Sequence, residues 1–495
     1  MRVSGYDAAV DAALAVARAA DLWIILRIQD AVERRLVLQD GRVERERATR
    51  SAGLGVHVFT KRGAVGFASV DDLRPEAARE AVVRAGALAQ AASRLSVGRL
   101  DVSAQLAGLE HPLPLPASPH SELCSGDVIA QTLMDAQSGL DGLNVGADRS
   151  VRTTHHAIDE QWRVVRSDGV DVAFSTSRAL TRHDLTGRVG GRAVRAGATV
   201  AGDRPSATLS GAAVATLGLR LQRSAADALA AASAPPPAAG SYRLVLNHAL
   251  AKGLAHEAIG HLCESDVDAS VLMRGGRLRL GEQLARDTVS IADGPLPGDF
   301  VQQPISANGV PRQTVALIER GVLTTGLGDL FSAARAGIPV TGACRASSFR
   351  DRPTPRMTNI RIQMADPLPL AADPELLTPE DVAAALRQHG LLDRSVPTLF
   401  LAGYRGGQAH PRRGDFVFGA EAAYDLTDGV VARGAASFSG LAERALSAIV
   451  AGIGPLRADA IGSCGKDGSS VSSSGGSHAL LVLDPDPDLV VSAAQ

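Results

Sequence analysis

The stretch YRLVLNHALAKGLAHEAIGHLC, residues 242–263, decides the organisation of the second half of the chain. Its first six residues form a short apolar run, which is typical of a buried strand. The run continues directly into a segment predicted to be a helix from His248 to about Cys263. Near its end this helix carries His256, Glu257 and His261, and the functional hypothesis starts from these three residues.

The segment HEAIGH, residues 256–261, contains the residue types of a hydrolytic metal site. In such sites two imidazoles hold a divalent ion, and a carboxylate accepts a proton from water. In the familiar HExxH pattern the histidines are four residues apart, about 40° from each other on a helix. Here His256 and His261 are five residues apart, which is about 140° on a regular helix. Either this is a chance pattern on an exposed face, or a π-bulge brings the rings together, with Gly260 absorbing the strain.

A second candidate feature is GSCGKDG, residues 462–468. Its glycines leave the backbone around Cys464 approachable, so the thiolate can be offered to a metal ion, and the nearby Lys466 favours the thiolate form. A glycine-rich turn with a free cysteine explains the same residues equally well. Lysine is rare in this chain, with 3 lysines against 48 arginines, which draws attention to Lys61, Lys252 and Lys466.

The first half of the chain is predicted to be a mixture of helices and antiparallel strands. Strands are expected within 21–73 and 143–200, with hairpin turns at Asp40-Gly41 and Asp168-Gly169. The expected helices cover residues 6–20, 75–93, 128–134 and 207–232. Residues 97–125 are rich in proline and are interpreted as a linker or a long surface excursion. The run Pro235-Pro236-Pro237 marks the domain boundary.

The second half is predicted to be rich in hairpins, with one further helix near 379–388. Turn-forming pairs recur along it, namely Arg274-Gly275-Gly276, Asp293-Gly294, Asn308-Gly309, Arg320-Gly321 and Asp428-Gly429. The fold class is therefore α+β. We predict an N-terminal domain of helices and antiparallel sheet over 1–237, and a β-rich C-terminal domain over 238–495 that carries the metal-site helix.

The composition excludes several classes of function. The 495 residues have a net charge of −2 and 3% aromatic residues, so neither nucleic acid nor an anionic membrane surface is an expected partner. The longest apolar stretches, such as 445–456, are shorter than the roughly 18 residues of a membrane span. Asp7, Asp11 and Arg18 interrupt the apolar run that a signal peptide needs. The few cysteines form no disulfide framework, which indicates a cytoplasmic protein.

Five motifs, in the same order and at similar spacing, resemble the TldD/PmbA family of metallopeptidases. They are HEAIGH, PRMTN at 355–359, GGQ at 406–408, DFVF at 415–418 and GSCGKDG. The N-terminal half is also similar, from ADLWIIL through QDGRVE and GLGVHVFT to GFASV. The resemblance implies that His256, His261 and Cys464 are zinc ligands and that Glu257 is the general base. The motifs also supply the candidate substrate-binding residues, which are Arg356, Asn359 and Lys466.

The resemblance also implies a function. The family contains catalytic subunits with HExxxH and partners without it, and this chain has the motif. We therefore expect a zinc-dependent peptidase that cleaves unfolded or small peptides, including modified precursors, in a chamber between two subunits. The dimer is either a homodimer or a heterodimer with a TldE/PmbA-like paralogue. The alternative is a non-hydrolytic metal-binding subunit that presents peptide to a partner, but a structural zinc site has no need of Glu257.

Three residues compete to be the third protein ligand. Glu264 lies three residues after His261 and can reach the same helix face, whereas Cys263 points away from it. Cys464 is distant in sequence, but its glycine neighbours and the resemblance favour it. We predict that Cys464 binds the ion and that Glu264 supports the ligands from behind.

The chain departs from the family pattern close to this predicted site. Serines occupy most of residues 469–474, where the family usually has a Gln after the glycine at 468 and then an apolar segment. This difference indicates a specialised member of the family with its own substrate preference.

Overall fold

The first part of the molecule is a long antiparallel sheet. The structure is a computed structural model that describes residues 6–60, 64–94, 125–143, 145–267 and 269–494. Its first strands are β1 (Trp23–Gln39), β2 (Arg42–Phe59), β3 (Val65–Val70), β4 (Ala147–Arg166), β5 (Asp171–Val189) and β6 (Arg192–Gly202). They form one antiparallel sheet in the order β3-β2-β1-β4-β5-β6, which places β6 at an edge.

A tight turn sets the register of this sheet. Asp40 and Gly41 both have positive φ, 50° and 76°, as a two-residue type I′ hairpin requires. This turn was predicted from the sequence. The chain was predicted to form several short strands within 21–39 and 42–59, but each range is one long strand. The charged parts of β1 and β2 pair with each other on an exposed extension of the sheet, where Glu33 lies opposite Thr49 and Arg35 opposite Arg47.

Helices cover this sheet. The helices are α1 (Asp7–Ala19), α2 (Pro75–Ser93), α3 (Gly126–Ser138), α4 (Ser206–Leu209) and α5 (Gly211–Ser233). The first two share an apolar core with Ile24, Leu26 and Val56 of the sheet. The helix predicted over 207–232 is divided, because Ser210 is extended and caps α5 by accepting a hydrogen bond from the Ala213 N–H. The predicted linker 97–125 lies outside the described residues except for Ser125, the N-cap of α3.

Short strands build the second part of the molecule. They are β7 (Arg243–Asn247), β8 (Met273–Arg274), β9 (Arg277–Leu278), β10 (Val289–Gly294), β11 (Val315–Glu319), β12 (Val322–Leu323), β13 (Cys344–Arg345), β14 (Thr354–Pro355), β15 (Asn359–Met364), β16 (Thr398–Ala402), β17 (Gly407–His410), β18 (Asp415–Ala420), β19 (Ala422–Asp425), β20 (Val431–Arg433), β21 (Ala436–Leu441), β22 (Ile449–Ile453), β23 (Arg457–Lys466), β24 (Ser469–Ser477), β25 (Leu480–Leu483) and β26 (Leu489–Ala493).

These strands form two mixed sheets and several smaller units. One six-stranded sheet has the order β12-β11-β10-β15-β24-β23, and the other has the order β20-β19-β16-β7-β25-β22. The smaller units are β17-β18-β21-β26 and the hairpins β8-β9 and β13-β14. The helices of this part are α6 (His248–Ala255), α7 (Ala333–Ala336), α8 (Pro379–Gln388) and α9 (Ala442–Ala448). Apolar residues of α6 and of both large sheets belong to one buried core, so the helix that leads into the histidine motif lies inside the protein.

Most predicted turns of this part are found, and one is wrong. Gly275 and Gly276 connect β8 to β9, and Arg320-Gly321 connects β11 to β12, all with positive φ. Asp293 and Gly294 instead end strand β10. The Asp293 carboxylate is fully buried there and pairs with the Arg312 guanidinium, an interaction that a local turn signal does not reveal.

The α+β class is confirmed, with the antiparallel sheet in the first half and the helix of the histidine motif in the β-rich second half. The domain boundary at 237 stays a prediction. Within the residues that the structure describes, no helix has the length and apolar character needed to cross a membrane.

Candidate metal centre

The helix that carries the two histidines changes its winding at the motif. It begins as α6, where the Asn247 side chain accepts a hydrogen bond from the Leu250 N–H. From His256 to Gly260 it is a π-helix, and a short 3₁₀ turn follows from His261 to Cys263. The ring centroids of His256 and His261 are 4.9 Å apart. The predicted π-type widening is therefore confirmed, and it brings histidines with i,i+5 spacing together.

Gly260 has a different role from the one predicted. Its φ and ψ are both −55°, which is ordinary helical backbone without strain. A Cβ atom at this position would lie 1.8 Å from Sδ of Met357. Glycine is required because Met357 packs directly against the widened turn.

Cys464 comes from the other end of the chain to the same point. It lies on β23, and its Sγ is 3.2 Å from Nε2 of His261. The ligand atoms of His256, His261 and Cys464 all lie within 4.8 Å of one another. Nδ1 of His256 is hydrogen-bonded to Oγ of Ser473 at 3.1 Å, which leaves Nε2 as the ring atom available to a metal ion. The structure thus brings the three predicted ligands together, although their binding of an ion stays a prediction.

A buried charged network lies behind His261. Nδ1 of His261 is 3.2 Å from Oε2 of Glu264, which is fully buried and stands outside the three-residue cluster. The Lys466 ammonium donates to the same Glu264 oxygen at 2.9 Å and to Asp266 at 2.5 Å. A carboxylate behind a ligating histidine fixes the orientation and tautomer of the ring. Lys466 therefore contacts the supporting carboxylates, whereas it was predicted to favour the thiolate form of Cys464.

The two histidines strongly influence the thiol. Burial raises the pKa of Cys464, but hydrogen bonds and charge from His256 and His261 outweigh that effect and lower the pKa to about 4. Burial lowers the pKa of His261, whereas Glu264 and Cys464 raise it well above its usual value. The pKa of Cys263 is raised, in contrast to that of Cys464, because its thiol is fully buried and lies beside the Glu264 carboxylate. Cys464 is therefore the thiolate of this site.

Glu257 faces the open side of the cluster. Its Oε2 is 4.0 Å from Nε2 of His261, and Glu257 lines a cavity of about 850 Å³ together with His256. Residues 193–197 of β6 and residues Ile461 and Ser463 of β23 form other walls of this main cavity. The carboxylate thus lies beside the predicted ligands and lines a space large enough for a peptide segment.

Tyr404 is a residue of the main cavity that the sequence reasoning missed. Burial, followed by the charges of Glu257 and Cys464, raises the pKa of its phenol, so the hydroxyl stays protonated. A Cβ at Gly407 would lie 3.0 Å from this hydroxyl, and a Cβ at Gly253 would lie 2.8 Å from the ring. The only sequence signal was indirect, since Tyr404 stands two residues before the Gly-Gly-Gln motif.

The remaining predicted residues lie behind the site or outside the described chain. Arg356 is 1% exposed and donates to the backbone carbonyl of Cys464. Asn359 is fully buried on β15, where its side-chain oxygen accepts from Arg361 at 3.0 Å. These contacts are to the protein interior, and substrate binding by Arg356 and Asn359 stays a prediction. Lys61 lies outside the described residues.

Comparisons with known proteins agree with this architecture. Residues 239–458 match the PmbA/TldA metallopeptidase C-terminal domain, and residues 26–89 match the PmbA/TldA metallopeptidase domain 1. A metalloprotease of Methanothermobacter thermautotrophicus is 31% identical over 266 residues, covering 52% of this chain and 53% of the relative. A zinc metalloprotease TldD homolog of Saccharolobus solfataricus is 32% identical over 134 residues, covering 26% and 29%. The chain spans about half the length of the Methanothermobacter relative and of a metalloprotease TldD homolog of Haemophilus influenzae.

The fold is also found among solved structures. TldE from Thermococcus kodakarensis superposes with a TM-score of 0.70 at 15% identity, covering 97% of this chain and 99% of that one. At this identity the likeness concerns the fold alone. Together, the two matched domains cover more than half of the chain and include the histidine motif. The chain belongs to the TldD/PmbA metallopeptidase family.

Proposed function

We propose that this chain is a zinc-dependent peptidase that hydrolyses unfolded or small peptides. One observation carries the proposal, namely that Glu257 is 4.0 Å from His261 of the cluster and lines the main cavity together with His256. A metal site that only stabilised a fold would have no reason to present a carboxylate to an open cavity. The names of the curated relatives, metalloprotease and zinc metalloprotease, support the same activity.

The donor set supports zinc as the ion. Two imidazoles and one thiolate form a donor set that suits zinc, whereas harder ions favour carboxylate and water oxygens. Ser473 and Glu264 hold the Nδ1 atoms of His256 and His261 respectively, so both rings are oriented before an ion arrives. A bound zinc ion would polarise the carbonyl of the scissile bond and make a nearby water molecule more acidic.

Two side chains of the main cavity perform the proton chemistry. Glu257 accepts the proton of the attacking water and then passes it to the nitrogen of the leaving amine. Tyr404 keeps its hydroxyl proton and can donate a hydrogen bond to the negative charge that develops on the carbonyl oxygen. Because both groups line the same cavity as His256, a single extended peptide can meet all of them.

The walls of the main cavity suit an extended backbone. Strand β6 ends the first sheet and β23 ends one of the mixed sheets, and both contribute residues to the cavity. An edge strand offers unpaired N–H and C=O groups, to which a peptide can add as a further strand. Recognition through the backbone explains how one enzyme would accept peptides of different sequence, provided that they are unfolded.

We also propose that the active species is a dimer, formed either by two copies of this chain or with a TldE/PmbA-like paralogue. Membership of the family supports this arrangement. Light scattering of the purified protein, alone and mixed with a paralogue from the same genome, measures it. A monomer with full activity would contradict the dimer without affecting the catalytic proposal.

Incubation of the zinc-loaded protein with an unfolded protein such as reduced casein tests the peptidase proposal. We expect new peptide termini in the mass spectrum, loss of activity on removal of zinc, and recovery when zinc returns. The alternative subunit, which binds zinc and presents peptide without cleaving it, would show full zinc content and peptide binding but no new termini with any partner tested.

A further inference from the structure

A second, smaller cavity adjoins the main cavity at Ser463, which lines both. We call it the side pocket. It has a volume of about 250 Å³ and lies between the first sheet and the β23–β24 pair. Its apolar walls include Trp162 and Phe174, which are opposite each other on β4 and β5. On the other side it is lined by Ser470 and Ser472 of the serine-rich segment.

The side pocket contains a buried arginine. Arg345 is 7% exposed, and its Nη1 donates to the backbone carbonyls of Met357 at 2.6 Å and Ser472 at 2.8 Å. Its Nε donates to the Gln303 side chain at 3.0 Å. All three acceptors are neutral. Among the residues that the structure describes, no carboxylate lies within 4.0 Å of this guanidinium.

The surrounding charges leave Arg345 uncompensated. Burial, and then the neighbouring cations Arg356, Arg178 and Arg312, lower the pKa of Arg345 to about 9. The Asp293 carboxylate opposes this shift only weakly, and it is paired with Arg312. The pocket also holds Glu160, but its carboxylate already accepts hydrogen bonds from Arg178 at 2.5 Å and Gln29 at 2.7 Å. A buried cation without a counter-ion is costly, and a negative ligand would remove that cost.

We propose that the side pocket binds a carboxylate group of the peptide substrate, paired with the guanidinium of Arg345. The carboxylate is either the side chain of an aspartate or glutamate or the C-terminus of the peptide. This inference deepens the proposed function, because it names the residue type preferred near the scissile bond. The Nη1 and Nε donors of Arg345 already bond to the protein, so Nη2 is the donor left for the carboxylate, in a charge-assisted hydrogen bond.

The position of the pocket relates it to the scissile bond. Neighbouring side chains of a strand point to opposite faces, and Ser463 directly precedes Cys464 on β23. A peptide added to the edge of β23 therefore directs alternate side chains toward the side pocket while its backbone passes the metal centre. The acidic residue would then lie close to the bond that is cleaved.

The binding test uses Trp162 as the reporter, because this side chain forms part of the pocket wall. The protein is the full zinc-loaded chain with Glu257→Gln to prevent turnover and Trp23→Phe to remove the other tryptophan. Three peptides are titrated: AAEAA and AAQAA with both ends blocked, and AAQAA with a free C-terminal carboxylate. We expect AAEAA, the free-carboxylate peptide, or both to bind about tenfold more tightly than blocked AAQAA, and the comparison identifies the source of the carboxylate.

Two variants locate the preference. Arg345→Gln removes the charge and should abolish the tenfold difference, but it also loses contacts to Met357 and Ser472. Ser470→Asp is the second variant, because Ser470 is exposed at the pocket and a carboxylate there would compete for Arg345 without touching its anchors. Ser447→Asp, an exposed serine outside both cavities, is the matched control and should keep the preference.

Equal affinity of the starting protein for all three peptides would overturn the proposal, as would a preference that survives in both Arg345→Gln and Ser470→Asp. A preference for a carboxylate in this protein supports the pocket even if the wild-type chain hydrolyses none of the peptides. Absence of hydrolysis by the wild-type chain would overturn the peptidase proposal but not the pocket.

Discussion

The molecule buries histidines in both halves, and their neighbours differ. His155 and His183 of the first sheet are 1% exposed, and Nδ1 of each ring is hydrogen-bonded to a threonine hydroxyl at 2.8 and 2.7 Å. Burial lowers the pKa of both histidines to about 4. These rings are therefore neutral and form part of the packing of the sheet.

His261 is also largely buried, but Glu264 and Cys464 raise its pKa. The Cys464 thiolate and the Glu264 carboxylate stabilise positive charge at His261. The threonine hydroxyls beside the histidines of the first sheet are neutral and do not. Burial beside neutral groups therefore keeps a histidine uncharged and part of the packing, whereas burial beside anionic groups favours a positive charge at the ring, either a proton or a metal ion. The following predictions test this difference, starting with the largest expected effect.

Glu257→Gln should lower peptide hydrolysis by about 10³-fold or more, because the amide has nearly the same shape but cannot accept a proton. The zinc content should stay the same, since Glu257 lies outside the ligand cluster. Hydrolysis of casein and metal analysis of the same sample measure both. Glu319→Gln, an exposed position, is the matched control. Near-normal turnover by Glu257→Gln would remove this residue from the mechanism.

Cys464→Ser should weaken zinc binding by about 100-fold, because it removes the thiolate of the cluster. Cys263→Ser is the matched control, since that thiol is fully buried and stands outside the cluster. Competition with a chelator of known affinity measures the dissociation constants. Equal affinities of the two variants would show that the sulfur does not bind the ion.

Glu264→Gln should weaken zinc binding by about tenfold, less than loss of the thiolate. The amide keeps the shape but loses the charge that orients His261 and attracts Lys466. The same chelator assay applies. An effect larger than that of Cys464→Ser would identify Glu264 as a ligand and contradict the assignment.

The histidines of the first sheet should make stability depend on pH without affecting zinc. Their folded pKa values of about 4 lie below the usual value of 6.5, so the unfolded chain binds more protons between these two pH values. Stability is therefore lost as the pH falls from about 6.5 toward 4, by about 1 kcal/mol per histidine between pH 7 and 5.5. Urea unfolding of wild type and His183→Gln at both pH values measures the difference. If the free energy of unfolding changes between the two pH values by the same amount in His183→Gln as in wild type, His183 does not titrate on unfolding.

The three residues of the cluster could be predicted from the sequence, but only some of the residues that surround and orient them could. The histidine spacing required a π-bulge, which the structure has, and glycines around Cys464 marked the thiol. Ser473 and Tyr404 could not be predicted, because strand pairing and chain topology bring them to the helix from more than 140 residues away. Likewise, Asp293-Gly294 looked like a turn because its partner Arg312 is not visible in the local sequence.

The most direct test of the account is X-ray absorption at the zinc edge, on the zinc-loaded wild-type chain and on Cys464→Ser. The account predicts one sulfur at about 2.3 Å and nitrogen ligands at about 2.0 Å with the multiple scattering of imidazole. The sulfur shell should disappear in Cys464→Ser. A wild-type spectrum with only nitrogen and oxygen ligands, or a sulfur shell that persists in the variant, would contradict the central claim that His256, His261 and Cys464 hold the ion.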